Sequence, residues 1–231
     1  MIYITGDKHI PIDMPPLEKF LDNNKLNKED FLIICGDVGF LWNYTMVYEY
    51  WLQWFANQEF ITLYVDGNHE NHARLDALPV TLWNGGKVHK LADNVIHLMR
   101  GQIFTIDEKK FFTFGGADSI DRNRRIPNVT WWEREMPSNQ EYEEGLQNLQ
   151  KNNFEVDYIV THTCSIQLLQ QFYQKYRMQP YVSAINQYFN MIEQMVRFSK
   201  WYCGHFHFDE NIDDKHTVLY DNVQLIGENN E

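Results

Sequence analysis

Cysteine is scarce in this 231-residue chain: Cys35, Cys164 and Cys203 are the only three. So small and odd a number excludes a disulfide scaffold and fits a reducing compartment, so a cytoplasmic location is expected. Positive charge is short as well. Lys and Arg number 20 against 32 Asp and Glu, a formal net charge of −12. That balance disfavours a broad electrostatic footprint on nucleic acid or on an anionic membrane. No apolar run reaches the roughly 20 residues of a membrane-spanning helix. Met1-Ile2-Tyr3-Ile4-Thr5 leads straight into a polar motif, so no signal peptide is expected. There is no internal repeat, and no stretch is rich enough in Gly, Ser or Pro to act as a linker. One domain over residues 1–231 is therefore expected, and an apolar content of 44% suffices for a sizeable core.

What the chain does contain is a series of apolar runs that each end in donor residues. Leu63-Tyr64-Val65 is a buried-strand pattern that runs into Asp66-Gly67-Asn68-His69-Glu70. Phe31-Leu32-Ile33-Ile34-Cys35, continuous and apolar, suits a strand covered on both faces and ends in Gly36-Asp37. The first strand closes at Gly6-Asp7-Lys8-His9, another over 156–161 at His162, and Trp201-Tyr202-Cys203 at Gly204-His205-Phe206-His207. Between them, helical spacing predicts helices over 17–24, 43–58, 140–152, 165–176 and 183–199. The aromatic face at 42–55 reads as core. Strands over 95–99, 102–106 and 111–114, split by short polar turns, suggest antiparallel pairing. Terminal strands are expected at 217–220 and 223–226, then a polar tail at 228–231.

Open α/β sheets bind ligands at the carboxyl ends of their strands. Five such ends here carry Asp7 and His9, Asp37, Asn68 and His69, His162, and His205 and His207. The donors mix oxygen and nitrogen and exceed what one tetrahedral zinc needs. They suit two ions about 3.5–4 Å apart that share a bridging carboxylate. With two carboxylates and one hydroxide against four positive charges, such a centre stays net positive, which suits an anionic phosphate ester. Coordination would also lower the pKa of a bridging water towards ~7. His72, His89, His97 and His216 fall outside the series and read as ordinary surface or turn histidines. The cysteines read as small residues filling tight space at strand ends.

The ordered series Asp-x-His, Gly-Asp, Gly-Asn-His-Glu, His and Gly-His-x-His resembles the calcineurin-like metallophosphoesterases, over nearly the whole chain. Gly115-Gly116-Ala117, Ser119, Asp121, Arg125 and Trp131-Trp132 resemble a small phage and bacterial branch of that family. The resemblance implies an α/β fold, a four-layer α/β/β/α sandwich with two mixed sheets. It implies that Asp7, His9 and His207 hold one ion, that Asn68, His162 and His205 hold the other, and that Asp37 bridges. His69 matches the general acid, and Asp37 and His69 are the catalytic pair. Asn68, His69, Arg125 and Arg122 are the expected substrate-binding residues, the arginines because guanidinium pairs with phosphate oxygens in a bidentate way. The cofactor expected is a pair of divalent ions, manganese first, then Fe, Zn, Ni or Co.

Two departures narrow the reading. Gly36-Asp37-Val38-Gly39-Phe40-Leu41-Trp42 lacks the Asp-Arg pair of the family's protein Ser/Thr phosphatases. Ile10-Pro11 stands where many members carry Gly, which alters a pocket wall but not the ligands. The expected activity is hydrolysis of phosphate mono- or diesters, of a small nucleotide-like substrate, by a metal-bridging hydroxide. Two other readings stay open from sequence: a nuclease acting on DNA or RNA, and a scaffold that keeps the fold without turnover.

Overall fold

Strands form wherever a short run of branched and aromatic residues can be covered on both faces. The computed structural model describes residues 1–177 and 181–227, and the tail expected at 228–231 lies outside them. In chain order the elements are β1 (Ile2–Thr5), α1 (Met14–Asn23), β2 (Phe31–Ile34), α2 (Met46–Ala56), β3 (Ile61–Tyr64), α3 (His72–Asp76), β4 (Val80–Trp83), β5 (Gly86–Ala92), β6 (Val95–Leu98), β7 (Gln102–Ile106) and β8 (Lys109–Phe114). Then follow α4 (Asn139–Lys151), β9 (Tyr158–Thr161), α5 (Ile166–Tyr176), α6 (Ala184–Met195), β10 (Lys200–Cys203), β11 (Glu210–Asn211), β12 (His216–Val218) and β13 (Gln224–Leu225).

These strands make two mixed sheets, ordered β13-β1-β2-β3-β6-β5-β4 and β11-β12-β10-β9-β8-β7. In the first, β1, β2, β3 and β6 run parallel, with Ile4 opposite Ile33 and Ile33 opposite Leu63. In the second, β8, β9, β10 and β12 do the same. Parallel strands bring their carboxyl ends to one rim of each sheet, so every motif begins on a rim.

Three apolar cores separate four layers. Between the sheets, Ile4, Ile33 and Leu63 meet Phe104, Phe111 and Val160. Outside the first sheet, Leu32, Ile34 and Tyr64 pack on Met14 and Leu17 of α1 and Phe55 of α2. Outside the second, Phe112, Phe114 and Ile159 pack on Leu149 of α4 and on Ile185, Phe189 and Ile192 of α6. Each such side chain contributes about 1.5–3 kcal/mol by leaving water. The result is the expected α/β/β/α sandwich.

Some elements differ from the sequence pattern, each for a local reason. Helix α1 begins at Met14, because Pro15 and Pro16 sit in its first turn, where no amide hydrogen is missed. The hairpin β4–β5 has no counterpart in the pattern, since its edge strand leaves Val80 and Leu82 exposed and shows no buried alternation. Strands β6 and β7 belong to different sheets, so only β7 and β8 form the antiparallel hairpin. In α2 only Trp51 and Phe55 are buried, while Met46 and Tyr50 are 83% and 61% exposed. Ser138 caps α4 through a reciprocal box with Glu141. Among the described residues, no helix is long and apolar enough to cross a membrane.

Candidate metal centre

Asp7 follows β1, Asp37 follows β2, Asn68 and His69 follow β3, His162 follows β9, and His205 and His207 follow β10. Neighbouring parallel ends allow very close approach. A Cβ on Gly67 would sit 2.0 Å from Asp37 Oδ1, and one on Gly204 would sit 2.2 Å from Asp7 Oδ1. Both positions therefore require glycine. An amide just past each glycine uses that space. His69 N–H donates to Asp37 Oδ1 at 2.7 Å, and His205 N–H donates to Asp7 Oδ1 at 2.8 Å. Each aspartate thus spends one oxygen on the fold and turns the other inward.

Those inward oxygens gather the imidazoles. Asp37 Oδ2 lies 3.2 Å from His9 Nε2 and 3.3 Å from His162 Nε2. Asp7 Oδ2 lies 3.2 Å from His207 Nε2, yet it is fully buried and has no hydrogen bond. Donor atoms of Asp7, His9 and His207 all fall within 4.8 Å of one another, as do those of Asp37, His162 and His205. A third such grouping joins His9, Asp37 and His69. Asn68 Oδ1 is 3.2 Å from His162 Nε2, while its amide nitrogen donates to Ser119 Oγ at 3.1 Å. All seven expected ligands therefore converge. Asp37, His205 and His207 take left-handed backbone conformations, at φ of 49°, 72° and 53°. Such strain, about 1–3 kcal/mol per residue, persists where surrounding structure over-determines it, commonly at functional sites.

Ring orientation is set by the second nitrogen of each imidazole. His162 Nδ1–H donates to the Cys35 carbonyl at 2.7 Å. His9 Nδ1–H donates to Asp13 Oδ2 at 2.6 Å. Both rings are left presenting Nε2 to the centre. Asp13 was not anticipated; its only sequence signal is the four-residue spacing from His9.

The electrostatics describe a site built for cationic charge. Burial opposes protonation of His162, but Asp37 and Asp7 outweigh it and push the imidazole up to about 10. His9 is likewise raised to about 9, by Asp37, Asp7 and Asp13 against burial. Burial would raise Asp37, yet His162, His9 and His69 hold it well below the carboxylate range. His205 is pushed down to about 4 by burial and by His162. The unbonded Asp7 Oδ2 and the mixed nitrogen and oxygen donors fit divalent ions of the borderline class.

His69 stands at the edge of this set. Its Nε2 accepts from Arg125 Nη2 at 3.0 Å, and Arg125 is braced by Asp121 at 2.8 Å. Burial lowers the His69 pKa, Asp37 opposes, and Arg125 adds to the lowering. Arg125 lines a cleft of about 450 Å³ with Asp37, Asn68, Ser119, His205 and His207. Arg122 is not brought there; it lies half-exposed and pairs with Asp118 at 3.5 Å. A second cleft of about 420 Å³ opens on the opposite side of His69 and His207. Trp42, part of the aromatic stretch expected to be core, stacks on His69 at the mouth of that cleft, with centroids 6.2 Å apart. All three cysteines are free and buried, as expected. His72, His89, His97 and His216 are buried as well, contrary to the surface reading. Three of them gather around Asp66, and His216 is held by Asp213 at 2.9 Å.

Two packed mixed sheets deliver this donor set to their strand ends, so the architecture is an α/β/β/α sandwich with a candidate metal site. The chain belongs to the calcineurin-like phosphoesterase family, whose model matches residues 1–209. The aspartate and histidine groups are compatible with the metal site typical of that family. No curated protein matches the chain.

Proposed function

We propose that this chain uses two divalent ions, manganese first, to hydrolyse mono- or diesters of a small nucleotide-like phosphate. The observation that carries this reading is Asp37 Oδ2, one carboxylate oxygen shared at 3.2 and 3.3 Å between His9 and His162. Asp7, His9 and His207 would hold one ion, Asn68, His162 and His205 the other, with Asp37 common to both. When bound, the ions supply Lewis-acid stabilisation of the phosphoryl oxygens and acidify the attacking water.

The side chains do the rest. Arg125 keeps His69 Nε2 in its accepting form. A phosphate draws the guanidinium onto its own oxygens by bidentate pairing, which frees Nε2 to take up a proton from solvent and pass it to the leaving oxygen. Asp121 and the Asp37 to His69 amide bond limit how far either group moves. Clefts of about 420 and 450 Å³ suit a small molecule, and the net charge of −12 disfavours long nucleic acid. Strand β13 pairs with β1, which favours one domain that includes the residues beyond 209. Three free cysteines favour the cytoplasm.

The test is hydrolysis of bis(p-nitrophenyl) phosphate. Activity should vanish on chelation, return with manganese, and fail in Asp37→Asn. A rate that survives either treatment overturns the mechanism. Efficient plasmid cleavage with little action on nucleotides would make the protein a nuclease, and a chain that binds metal but turns over no ester would make it a scaffold.

A further inference from the structure

The two clefts meet at His69 and His207, which belong to both linings. A phosphate at that junction places one substituent on each side. The two sides differ in chemistry. One carries Arg125 with Asp118 and Asp121, beside Leu169, Tyr173 and Phe206. The other is walled by Ile10, Ile12, Val38, Trp42, Tyr48 and Tyr220. Besides the shared imidazoles and its tyrosines, its ionisable groups are His9 and Asp13, and these pair with each other at 2.6 Å. No lysine or arginine lines it to meet a second anionic group.

Its aromatic rings are also set in register with the imidazoles. Trp42 lies nearly parallel to His69, at 23°. Tyr220 lies nearly parallel to His207, at 10° with centroids 4.8 Å apart. The Trp42 indole is held from behind by Trp132, edge-on at 5.5 Å. Tyr220 is tied down by its carbonyl, which accepts from the buried Lys8 ammonium at 2.5 Å. An aromatic ring therefore lies against each imidazole, and aliphatic Ile10, Ile12 and Val38 complete the wall. Ile10 stands at the first motif's departure from the family pattern, so this wall belongs to the present chain.

We propose that this second cleft binds an uncharged planar aromatic ring carried by the phosphate ester. This rests on the phosphoesterase reading for the position of the phosphate, and it names the substituent that reading leaves open. A volume of about 420 Å³ falls within the range of small-molecule sites. Contact with the Trp42 and Tyr220 rings that line the cleft favours an aryl over an alkyl ester by about tenfold. A substituent bearing its own negative charge finds no lysine or arginine on this side.

The test is calorimetric binding of 1-naphthylphosphonate and methylphosphonate to the manganese-loaded full chain, beside KM values for the matching aryl and methyl esters. The expected naphthyl preference of about tenfold should collapse to near unity in Trp42→Ala and shrink in Ile12→Asp. Ile12 is 76% exposed, so that second variant leaves buried packing intact. Equal binding of the two phosphonates by the wild type, or a preference that persists in both variants, overturns the proposal. A protein that hydrolyses no ester, yet keeps a preference that the variants erase, refutes the hydrolase reading and upholds the aromatic site. Hydrolysis of aryl and methyl esters with the same KM does the reverse.

Discussion

Two clusters of aspartate and histidine lie side by side at the end of β3, and Gly67 divides them. Asn68 points to the candidate metal centre, and Asp66 anchors the other cluster with His72, His89, His97 and Arg100. The residue types are nearly the same, but the charge balance differs. Asp66 spends both oxygens on protein donors: Oδ1 accepts from His97 Nε2 at 3.1 Å, and Oδ2 accepts from Arg100 Nε and Nη2 at 2.9 and 2.5 Å. His97 Nδ1 then meets His89 Nδ1 at 3.1 Å, and the cavity there holds only about 10 Å³. Asp7 and Asp37 spend Oδ1 on backbone amides and turn Oδ2 towards imidazoles alone, His207 for Asp7 and His9 and His162 for Asp37. A guanidinium bonds the carboxylate of one cluster directly, whereas among the described residues no lysine or arginine bonds those of the other. The titrations follow. Burial would raise Asp66, but Arg100 and His97 hold it well below the carboxylate range. His72 and His89 are pushed down to about 3 and 4, mainly by burial, whereas His9 and His162 are pushed up.

The comparison breaks first if the two clusters respond alike to loss of charge. Asp37→Asn keeps the shape and the oxygen that accepts from His69 but removes the shared charge. Lewis-acid stabilisation of several kcal/mol corresponds to about a 10³-fold fall in kcat/KM, with only a small change in melting temperature. Arg100→Met should do the opposite. It strands a buried carboxylate, so urea unfolding should show a loss of about 3–5 kcal/mol. Elemental analysis of the folded variant should find its metal stoichiometry unchanged. Metal loss in Arg100→Met would show that the clusters are coupled through Gly67.

A smaller effect sharpens the point about orientation. Asp13→Asn leaves the donor set intact but weakens the hold on His9 Nδ1. Metal affinity, followed by competition with a chromogenic chelator, should fall about 10–100-fold. An unchanged affinity would mean that the His9 ring is fixed by packing against His69 and His207, both within 5.0 Å.

The candidate centre was legible in the sequence because each donor closes an apolar run, and parallel strands bring such ends together. Asp13 was not, because a proline-bearing segment after His9 carries no periodicity that would aim a side chain. The Asp66 cluster was hidden for another reason. Arg100 lies 34 residues from Asp66, and an isolated histidine with no visible partner defaults to the surface. Trp42 and Tyr48 were indistinguishable from core, since spacing reports that a face is apolar without saying whether protein or a cleft covers it. The β4–β5 hairpin escaped because a strand exposed at a sheet edge has no burial to imprint an alternation.

The gentlest probe of the contrast is proton binding by His72, which is buried with Nε2 lacking a hydrogen bond. In the unfolded chain this imidazole takes up a proton near 6.5; in the folded chain it does so only near 3. Its contribution to stability is therefore complete above pH 6.5 and is lost progressively as pH falls towards 3, by at most about 1.4 kcal/mol per pH unit. Unfolding free energies of the wild type should drop between pH 6.5 and 4.5. A His72→Phe variant, which cannot take up that proton, should show a slope shallower by about 1 kcal/mol per unit over the same window. Equal slopes would mean that His72 is already protonated in the folded protein, with Asp66 shared between it and Arg100, and the guanidinium would no longer account for the difference between the clusters.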